Sequence, residues 1–349
     1  MSQFQWVKQM TNILKQHCDV AIIGSGPAGL AAAITLKKAG LDNIIVIERD
    51  AEAGGTPRHC GHPPFGFKEY KQVLTGPKYA KKNVQRALQL GIDIQCKTSV
   101  TNLGENGELS LATPDGLKTL IAKRVLIATG ARETPRSARF VSGDRALGIY
   151  NTGALQAMVY LKGKIPFKRP VIVGTEIVSF SALLTCRKAG IKPVAMIEAN
   201  NKTSVRWPIY YSHYLFSTKL LLNSKINKIV GTKRIEAVEV IKDNGNGDGK
   251  ITTLDCDGIL FTGMFTPESS LVQMSHLTFD LETYSPIVDE LGRCSDPAYY
   301  AAGTLRQLTA EEGRNPIYYA KGQAPQAVNI AGFCWDQGQS VAKNLLKDL

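Results

Sequence analysis

Residues 18–40 read CDVAIIGSGPAGLAAAITLKKAG: an apolar stretch, a glycine-rich turn and an alanine-rich stretch. This order predicts a buried strand, a tight turn and a helix, and the apolar segment 41–50 predicts a second strand. Gly24, Gly26 and Gly29 have the spacing GxGxxG at the predicted turn. In dinucleotide-binding units these glycines allow the turn, the approach of a pyrophosphate and close helix–strand packing. The sequence therefore predicts an α/β fold with a parallel sheet.

An acidic residue strengthens the prediction of a nucleotide site. Glu48 ends the second predicted strand, nineteen residues after Gly29. There its carboxylate can accept hydrogen bonds from the hydroxyls of an adenosine ribose, while the helix N-terminus attracts the phosphates. A strand-end acid on an unrelated α/β protein remains the alternative.

A second unit of the same type begins about 150 residues later, with PVIVGTEIVSF from residue 170. Of the three motif glycines only the first, Gly174, is kept, and Glu176 stands at the second position. Two like charges about 5 Å apart repel by about 3 kcal/mol at an effective dielectric near 20. Although Glu198 ends the next strand at the ribose position, we expect poor NAD(P)H binding here, unless Glu176 points outward.

The order of several segments resembles the pyridine nucleotide–disulfide oxidoreductase superfamily: the first glycine motif, the Gly54-Gly55 pair, RVLIATGAR and AYYAAGT. This resemblance implies an α/β fold with two Rossmann-like dinucleotide-binding domains. The FAD-binding domain would be discontinuous, formed by residues 1–157 and 269–349. Residues 158–268 would form an NAD(P)-binding-like domain with a degenerate glycine motif.

The resemblance implies FAD as the cofactor. The cofactor-binding residues implied by it are Gly24, Ser25, Gly26, Pro27, Ala28, Gly29, Glu48, Arg49, Gly54, Gly55, Thr56, Val100, Ala128, Thr129, Gly130, Gly303, Thr304, Ala331 and Gly332. Relatives commonly carry aspartate at the position of Thr304. Because a hydroxyl replaces that carboxylate only in part, we expect weaker FAD retention.

Residues 54–66, GGTPRHCGHPPFG, place one cysteine between two histidines. A redox disulfide needs a second cysteine within a few residues, and Cys60 has none. No cysteine of the chain stands in a CxxC pair. We predict no metal site, because three ligands within four loop residues could hardly reach one ion. The remaining interpretation is a loop over the flavin with His59, Cys60 and His62 as candidate catalytic residues, a histidine taking the substrate proton. Alternatively, these side chains brace the turn at Pro63.

The histidine-containing loop, ATGARETPRSARF and GTEIVS together resemble the FAD subunits of hydrogen cyanide synthase, opine oxidase and heteromeric proline dehydrogenase. This implies an FAD-dependent oxidoreductase that accepts hydride from a small substrate, such as an amine or imino acid. Electrons would pass to an acceptor or partner subunits, including a small iron–sulfur protein. The alternatives are an NAD(P)H-dependent flavin reductase and a non-catalytic electron-relay FAD subunit.

Composition narrows the partners and the compartment. The net charge is +12, but the basic residues are dispersed, so we predict no nucleic-acid partner. No stretch approaches the roughly 18–20 apolar residues of a membrane span, and the N-terminus lacks a secretory core. Seven scattered cysteines favour a reducing, cytoplasmic location. The pattern of residues 1–17 predicts an amphipathic helix, and residues 67–90 are expected to be mostly helical. A closing helix is expected to start at about residue 324. The loop at 307–326 has no assigned role.

Overall fold

The computed structural model describes residues 15–204, 216–243, 249–306 and 331–349. Its strands are β1 Lys15–Ile23, β2 Ile44–Ile47, β3 Asp93–Gln95, β4 Ser99–Leu103, β5 Glu108–Thr113, β6 Gly116–Ile127, β7 Ala131–Glu133, β8 Ile149–Asn151, β9 Pro170–Val173, β10 Ala195–Ile197, β11 Lys219–Leu221, β12 Ser224–Val230, β13 Ala237–Lys242, β14 Lys250–Asp255, β15 Gly258–Phe261, β16 Phe265–Pro267 and β17 Tyr299–Ala301. Its α-helices are α1 Pro27–Lys38, α2 Phe67–Tyr70, α3 Gly76–Gln89, α4 Thr152–Gln156, α5 Ile177–Lys188, α6 Ser270–Gln273 and α7 Ala331–Leu345.

The first sheet has the strand order β3-β2-β1-β6-β5-β4, and β17 also pairs with β6. Its central strand β1 is apolar on both faces because both faces are covered. Val20 and Ile22 pack in a core with α1 and α7, whereas Ala21 and Ile23 pack with the β4–β6 meander. Each buried valine or isoleucine side chain contributes about 1.5–3 kcal/mol of transfer free energy. Since β17 lies far along the chain, this sheet is built from two separate segments.

The second sheet has the order β11-β10-β9-β15-β8, with every pairing parallel. The antiparallel strands β12, β13 and β14 pack against it through a shared core that includes Ile229 and Ile259. A short antiparallel ribbon, β7 with β16, links the two sheets.

The chain joins the second sheet earlier than the expected domain boundary. β8 pairs with β15, and α4 follows it directly, so residues 149–157 belong with the second sheet and not with the first. At the other boundary, Val272 packs in the core of the first sheet, which agrees with a return near 269. The exact boundaries of the two domains stay a prediction.

Other local expectations also differ from the structure. Residues 15–17 extend β1 because they pair with β6, so the amphipathic helix predicted for 1–17 is wrong at its end; residues 1–14 lie outside the described part. The helix predicted for 67–90 is interrupted between α2 and α3. The loop at 307–326 also lies outside the described residues, and the closing helix is described from Ala331 onward. Among the described helices, none is long and apolar enough to cross a membrane.

Candidate functional site

The first glycine turn lies between β1 and α1, at the carboxyl edge of the first sheet. Gly24 has a φ of +106°, and a methyl group on it would lie 2.5 Å from the carbonyl oxygen of Ala128. A methyl group on Gly29 would lie 1.9 Å from the Gly24 oxygen. At Gly26, the N-cap of α1, a methyl group would meet nothing within 4 Å. The turn is therefore tightly packed at two glycines and open at the third, in front of a helix N-terminus.

A buried hydrogen-bond frame fixes Glu48 beside this turn. The Ser25 hydroxyl donates to Glu48 Oε2 at 2.5 Å, and the Asp50 N–H donates to Oε1 at 2.9 Å. The Gly54 N–H donates to the Ser25 hydroxyl at 3.0 Å. A methyl group on Gly55 would lie 2.6 Å from the Gly26 Cα. This frame brings the strand-end acid, the glycine turn and the glycine pair together.

Residues from β6 and from the segment after β17 complete the edge. Ala128 N–H donates to Ile23 O at 2.8 Å, which places the residues after β6 beside the turn. A methyl group on Gly130 would lie 3.7 Å from Thr304 Oγ1. Gly303, at φ +79°, donates its N–H to Gln337 Oε1 of α7 at 2.9 Å. Thr129 donates its hydroxyl to the carbonyl of Glu268 at 2.8 Å.

The remaining predicted cofactor contacts lie around this edge or away from it. Pro27 and Ala28 begin α1, and Ala331 and Gly332 begin α7. A methyl group on Gly332 would lie 3.4 Å from a Glu69 carboxylate oxygen. Arg49 and Thr56 are exposed, and Val100 packs against the core of the first sheet. Their roles in binding stay predictions.

The residues of this edge fit an extended dinucleotide such as FAD. The open space at Gly26 faces the N-terminus of α1, where a diphosphate is favoured. Glu48 is 8% exposed at the end of β2, the position of a ribose-binding acid. Gly303 has the backbone conformation that glycine adopts without strain and lies against Ala28 of α1.

The loop at 54–66 separates the three candidate catalytic residues. His59 ends a 3₁₀ turn, and burial together with the positive charge of Arg58 lowers its pKa to about 4. Burial raises the pKa of Cys60 to about 12, and its Sγ lies 3.5 Å from Gln156 Oε1. His62 instead has its Nδ1 2.9 Å from the carbonyl oxygen of Pro63, at the turn. His59 and Cys60 therefore face the junction between the sheets, while His62 contacts the turn.

Glu133 is a polar residue at this junction that the sequence interpretation missed. It ends β7 and is 6% exposed, and its Oε2 accepts the N–H of Gly153 at 2.7 Å. A methyl group on Gly153 would lie 3.6 Å from that oxygen and 3.9 Å from His59 Nε2. Burial raises the pKa of Glu133 to about 7. Its only sequence signal is an acid three residues after Gly130, in GARE.

The second glycine turn repeats the hydrogen bonds of the first. Gly174 N–H donates to Ile197 O at 2.9 Å, as Gly24 N–H donates to Ile47 O. The Thr175 hydroxyl donates to Glu198, whose Oε1 accepts the Asn200 N–H at 3.0 Å. This is the arrangement of Ser25, Glu48 and Asp50 in the first domain.

Glu176 makes the difference between the two turns. Its carboxylate accepts the Thr262 hydroxyl at 2.8 Å. A methyl group on Gly174 would lie 2.5 Å from Oε2, and one on Gly263 would lie 2.6 Å from Oε1. Burial raises the pKa of Glu176. The side chain thus points inward and fills the space that is open beside Gly26 in the first domain.

The described residues offer few groups for thiol chemistry or metal binding. All seven cysteines are free, and five of them are buried. In the described part of the chain, no group of three or more His, Cys, Asp and Glu residues could hold a metal ion.

Comparison with known proteins identifies the family. The model of the family described as "Pyridine nucleotide-disulphide oxidoreductase" matches residues 18–329. The chain is 25% identical to the alpha subunit of sarcosine oxidase from Rhizobium meliloti (strain 1021) over 259 residues, 72% of this chain and 25% of that protein. It is 26% identical to one of the subunits of opine oxidase from the same strain over 182 residues, 52% of this chain and 38% of that protein.

A solved thioredoxin reductase of T. acidophilum has the same fold, with a TM-score of 0.75 and 22% identity over 95% of this chain and 99% of that one. This chain spans between 25% and 63% of the length of the first curated relatives that it matches. The predicted superfamily, α/β fold and FAD cofactor are confirmed. The chain belongs to the pyridine nucleotide-disulphide oxidoreductase family.

Proposed function

We propose that this chain accepts hydride from a small amine or imino acid and passes the electrons to a partner subunit or a small acceptor. FAD, when bound, supplies the acceptor for the hydride. The names of two relatives support this proposal, because sarcosine and opines are both amines and both matched chains are named as subunits of oxidases.

The inward position of Glu176 is the observation that carries the proposal. Its carboxylate lies between Gly174 and Gly263, in the crevice where the second domain of a pyridine nucleotide reductase would hold the cofactor's diphosphate. A bound diphosphate would meet both bulk and negative charge there. NAD(P)H is therefore a poor reductant for this chain, and electrons must enter from another donor.

The cysteines argue against a thiol–disulfide reaction. Cys60 is the only cysteine in the loop beside the proposed flavin site, and burial raises its pKa to about 12. A neutral thiol is a weak nucleophile, and a dithiol cycle needs a second sulfur within reach. Oxidation of an amine needs neither a reactive thiolate nor a second sulfur.

In this proposal the chain's own residues divide the work. Gly24, Gly26 and the N-terminus of α1 hold the diphosphate, and Glu48 holds the ribose. His59 stays neutral at physiological pH because its pKa is about 4, so it orients an N–H group without repelling a cationic amine. Cys60 contributes packing, because its Sγ contacts Gln156 Oε1 at 3.5 Å.

A second candidate is an NAD(P)H-dependent flavin reductase. The frame of Thr175, Glu198 and Asn200 favours it, since the same frame surrounds Glu48 in the first domain. Only the adenosine half of a binding site is repeated in this way, because Glu176 fills the neighbouring space.

Anaerobic reduction of the bound flavin separates the candidates. The purified protein loaded with FAD is mixed with NADH, sarcosine, L-proline or an N-(carboxyalkyl) amino acid, and the loss of flavin absorbance is followed. We expect bleaching by at least one amine and little by NADH. Rapid bleaching by micromolar NADH would overturn the proposal.

If neither NADH nor any of the amines bleaches the flavin, the result contradicts the proposed oxidation of amines and favours the electron-relay alternative. Co-purification with the neighbouring chains of its complex then tests the partner: a small protein with the visible absorbance of an iron–sulfur cluster supports the proposed electron path.

A further inference from the structure

We propose that Glu133 is the residue that takes up and holds the proton released from the substrate's N–H group. The inference rests on the proposed function, and it concerns a carboxylate that the histidine hypothesis does not use. Three chain segments meet at this residue: the loop that contains His59 and Cys60, strand β7, and the start of α4 in the second sheet.

The position of the carboxylate suits a proton acceptor. Oε2 is held by the Gly153 N–H at 2.7 Å, so the group has a fixed orientation. Oε1 is buried and forms no hydrogen bond within the usual distance and angle limits among the described residues. The Thr152 hydroxyl and the Gly263 backbone lie close enough to lower the pKa of the carboxyl group, against the larger effect of burial. His59 Nε2 flanks the same side of Gly153. One carboxylate oxygen is therefore fixed by a strong hydrogen bond, and the other is buried beside the loop that carries His59 without a hydrogen bond of its own.

The charges around Glu133 favour a group that titrates near neutrality. Arg139 acts on it electrostatically, while His59 and Cys60 are neutral because burial opposes their charged forms. A guanidinium that is not in direct contact compensates the carboxylate only in part, and burial sets its pKa at about 7. A general base works best near the operating pH, whereas a histidine with a pKa of about 4 is a weak one.

The step balances in protons and electrons. Oxidation of a cationic amine removes one proton from nitrogen and a hydride from carbon, and a C=N double bond forms in a cationic imine. The two electrons go to FAD, the acceptor of the proposed function, and the proton goes to Glu133 Oε1. Return of that proton to water resets the site.

The test uses the FAD-loaded protein and its Glu133→Gln and Glu133→Asp variants. Glu133→Gln keeps an oxygen for the Gly153 N–H but cannot take a proton. Glu268→Gln, at the residue that directly follows β16, is the matched control. Each is checked for FAD content and secondary structure.

Reduction by sarcosine and L-proline is measured from about pH 5 to about pH 9. We expect Glu133→Gln to slow reduction about 10²–10⁴-fold and to lose the rise with pH, with KM little changed. Glu133→Asp should have a rate between those of Glu133→Gln and the parent, and Glu268→Gln should reduce at the rate of the parent.

A second readout does not depend on the substrate. Infrared difference spectra of the oxidised protein over the same pH range should contain a carboxylic-acid C=O band that disappears with an apparent pKa near 7 in the parent protein and is missing in Glu133→Gln. If no amine reduces the parent protein, the proposed function fails, and this band alone decides whether Glu133 holds a proton. A reduction rate in Glu133→Gln within about threefold of the parent, with the same pH profile, would overturn the inference, as would absence of the band.

Discussion

At the scale of single residues, two glycines of the same motif serve different purposes. A side chain on Gly29 would collide with the backbone of Gly24, while a side chain on Gly26 would enter open space. Gly29 is therefore required by the fold, and Gly26 by whatever occupies that space.

Alanine at these positions separates the two requirements. We expect Gly29→Ala to unfold at lower urea concentration, because a contact of 1.9 Å forces α1 away from β1. Gly26→Ala should fold with nearly the parent stability but bind FAD much more weakly. Urea unfolding of the FAD-free proteins and titration with FAD measure the two effects. Equal loss of stability in both variants would contradict this division.

The buried carboxylate of Glu133 makes stability depend on pH. Its pKa rises from 4.5 to about 7 on folding, so the folded state binds the proton more tightly. The stabilisation from this proton is complete below about pH 4.5 and is lost as the pH rises to about 7. Relative to the parent, Glu133→Gln should gain as much as about 3 kcal/mol over this range. Urea unfolding at several pH values, at constant FAD saturation and with Glu268→Gln as control, checks it; a constant difference between Glu133→Gln and parent would refute it.

At the scale of elements, the two strand–turn–helix units share a backbone and differ in one side chain. Gly24 and Gly174 make the same hydrogen bond to the neighbouring strand, and Glu48 and Glu198 receive matching donors. Glu176 alone fills the second crevice.

Replacing this side chain should reopen the crevice. Glu176→Gly restores the second motif glycine and removes both the bulk of the side chain and the charge of its ionised form. That charge opposes a diphosphate by at most about 3 kcal/mol, because burial favours the neutral form, so we expect the affinity for NADH to rise by at most about a hundredfold. Glu176→Gln, which removes the charge but keeps the bulk, should gain much less. Binding is measured by isothermal titration, and flavin bleaching by NADH is the functional readout. A Glu176→Gly protein that binds NADH no better than the parent would show that other residues close the site.

The elements also show which features the sequence could predict. The strand–turn–helix units and the strand-end acids are local patterns, and GxGxxG spacing is enough to place Gly24, Gly29 and Glu48. Glu133 could not be found in this way, because its environment arises from segments that are far apart in the chain. The start of the second sheet was also missed, since β8 is only three residues long and is specified by its pairing with β15.

At the scale of the whole molecule, the junction between the two sheets holds His59 and Glu133 in their relative positions. Besides the β7–β16 ribbon, the loop at 54–66 packs on the segment after α4. Gly61 lies against Tyr160, and a methyl group on Gly61 would be 2.0 Å from the tyrosine ring. Cys60 contacts Gln156 in the same region. This contact joins the loop of the first domain to the second.

A double-mutant cycle tests whether this contact couples the domains. Gly61→Ala alone should destabilise the protein by about 1–3 kcal/mol through overpacking. In a Tyr160→Ala background the same change should cost much less, because the ring that it strikes is gone. Urea unfolding gives the coupling energy, which should exceed about 0.5 kcal/mol. Limited proteolysis of the loop should increase in Gly61→Ala and not further in the double variant. Additive effects would mean that the loop and the second domain are energetically independent, so that their contact could not hold His59 and Glu133 in a fixed relation.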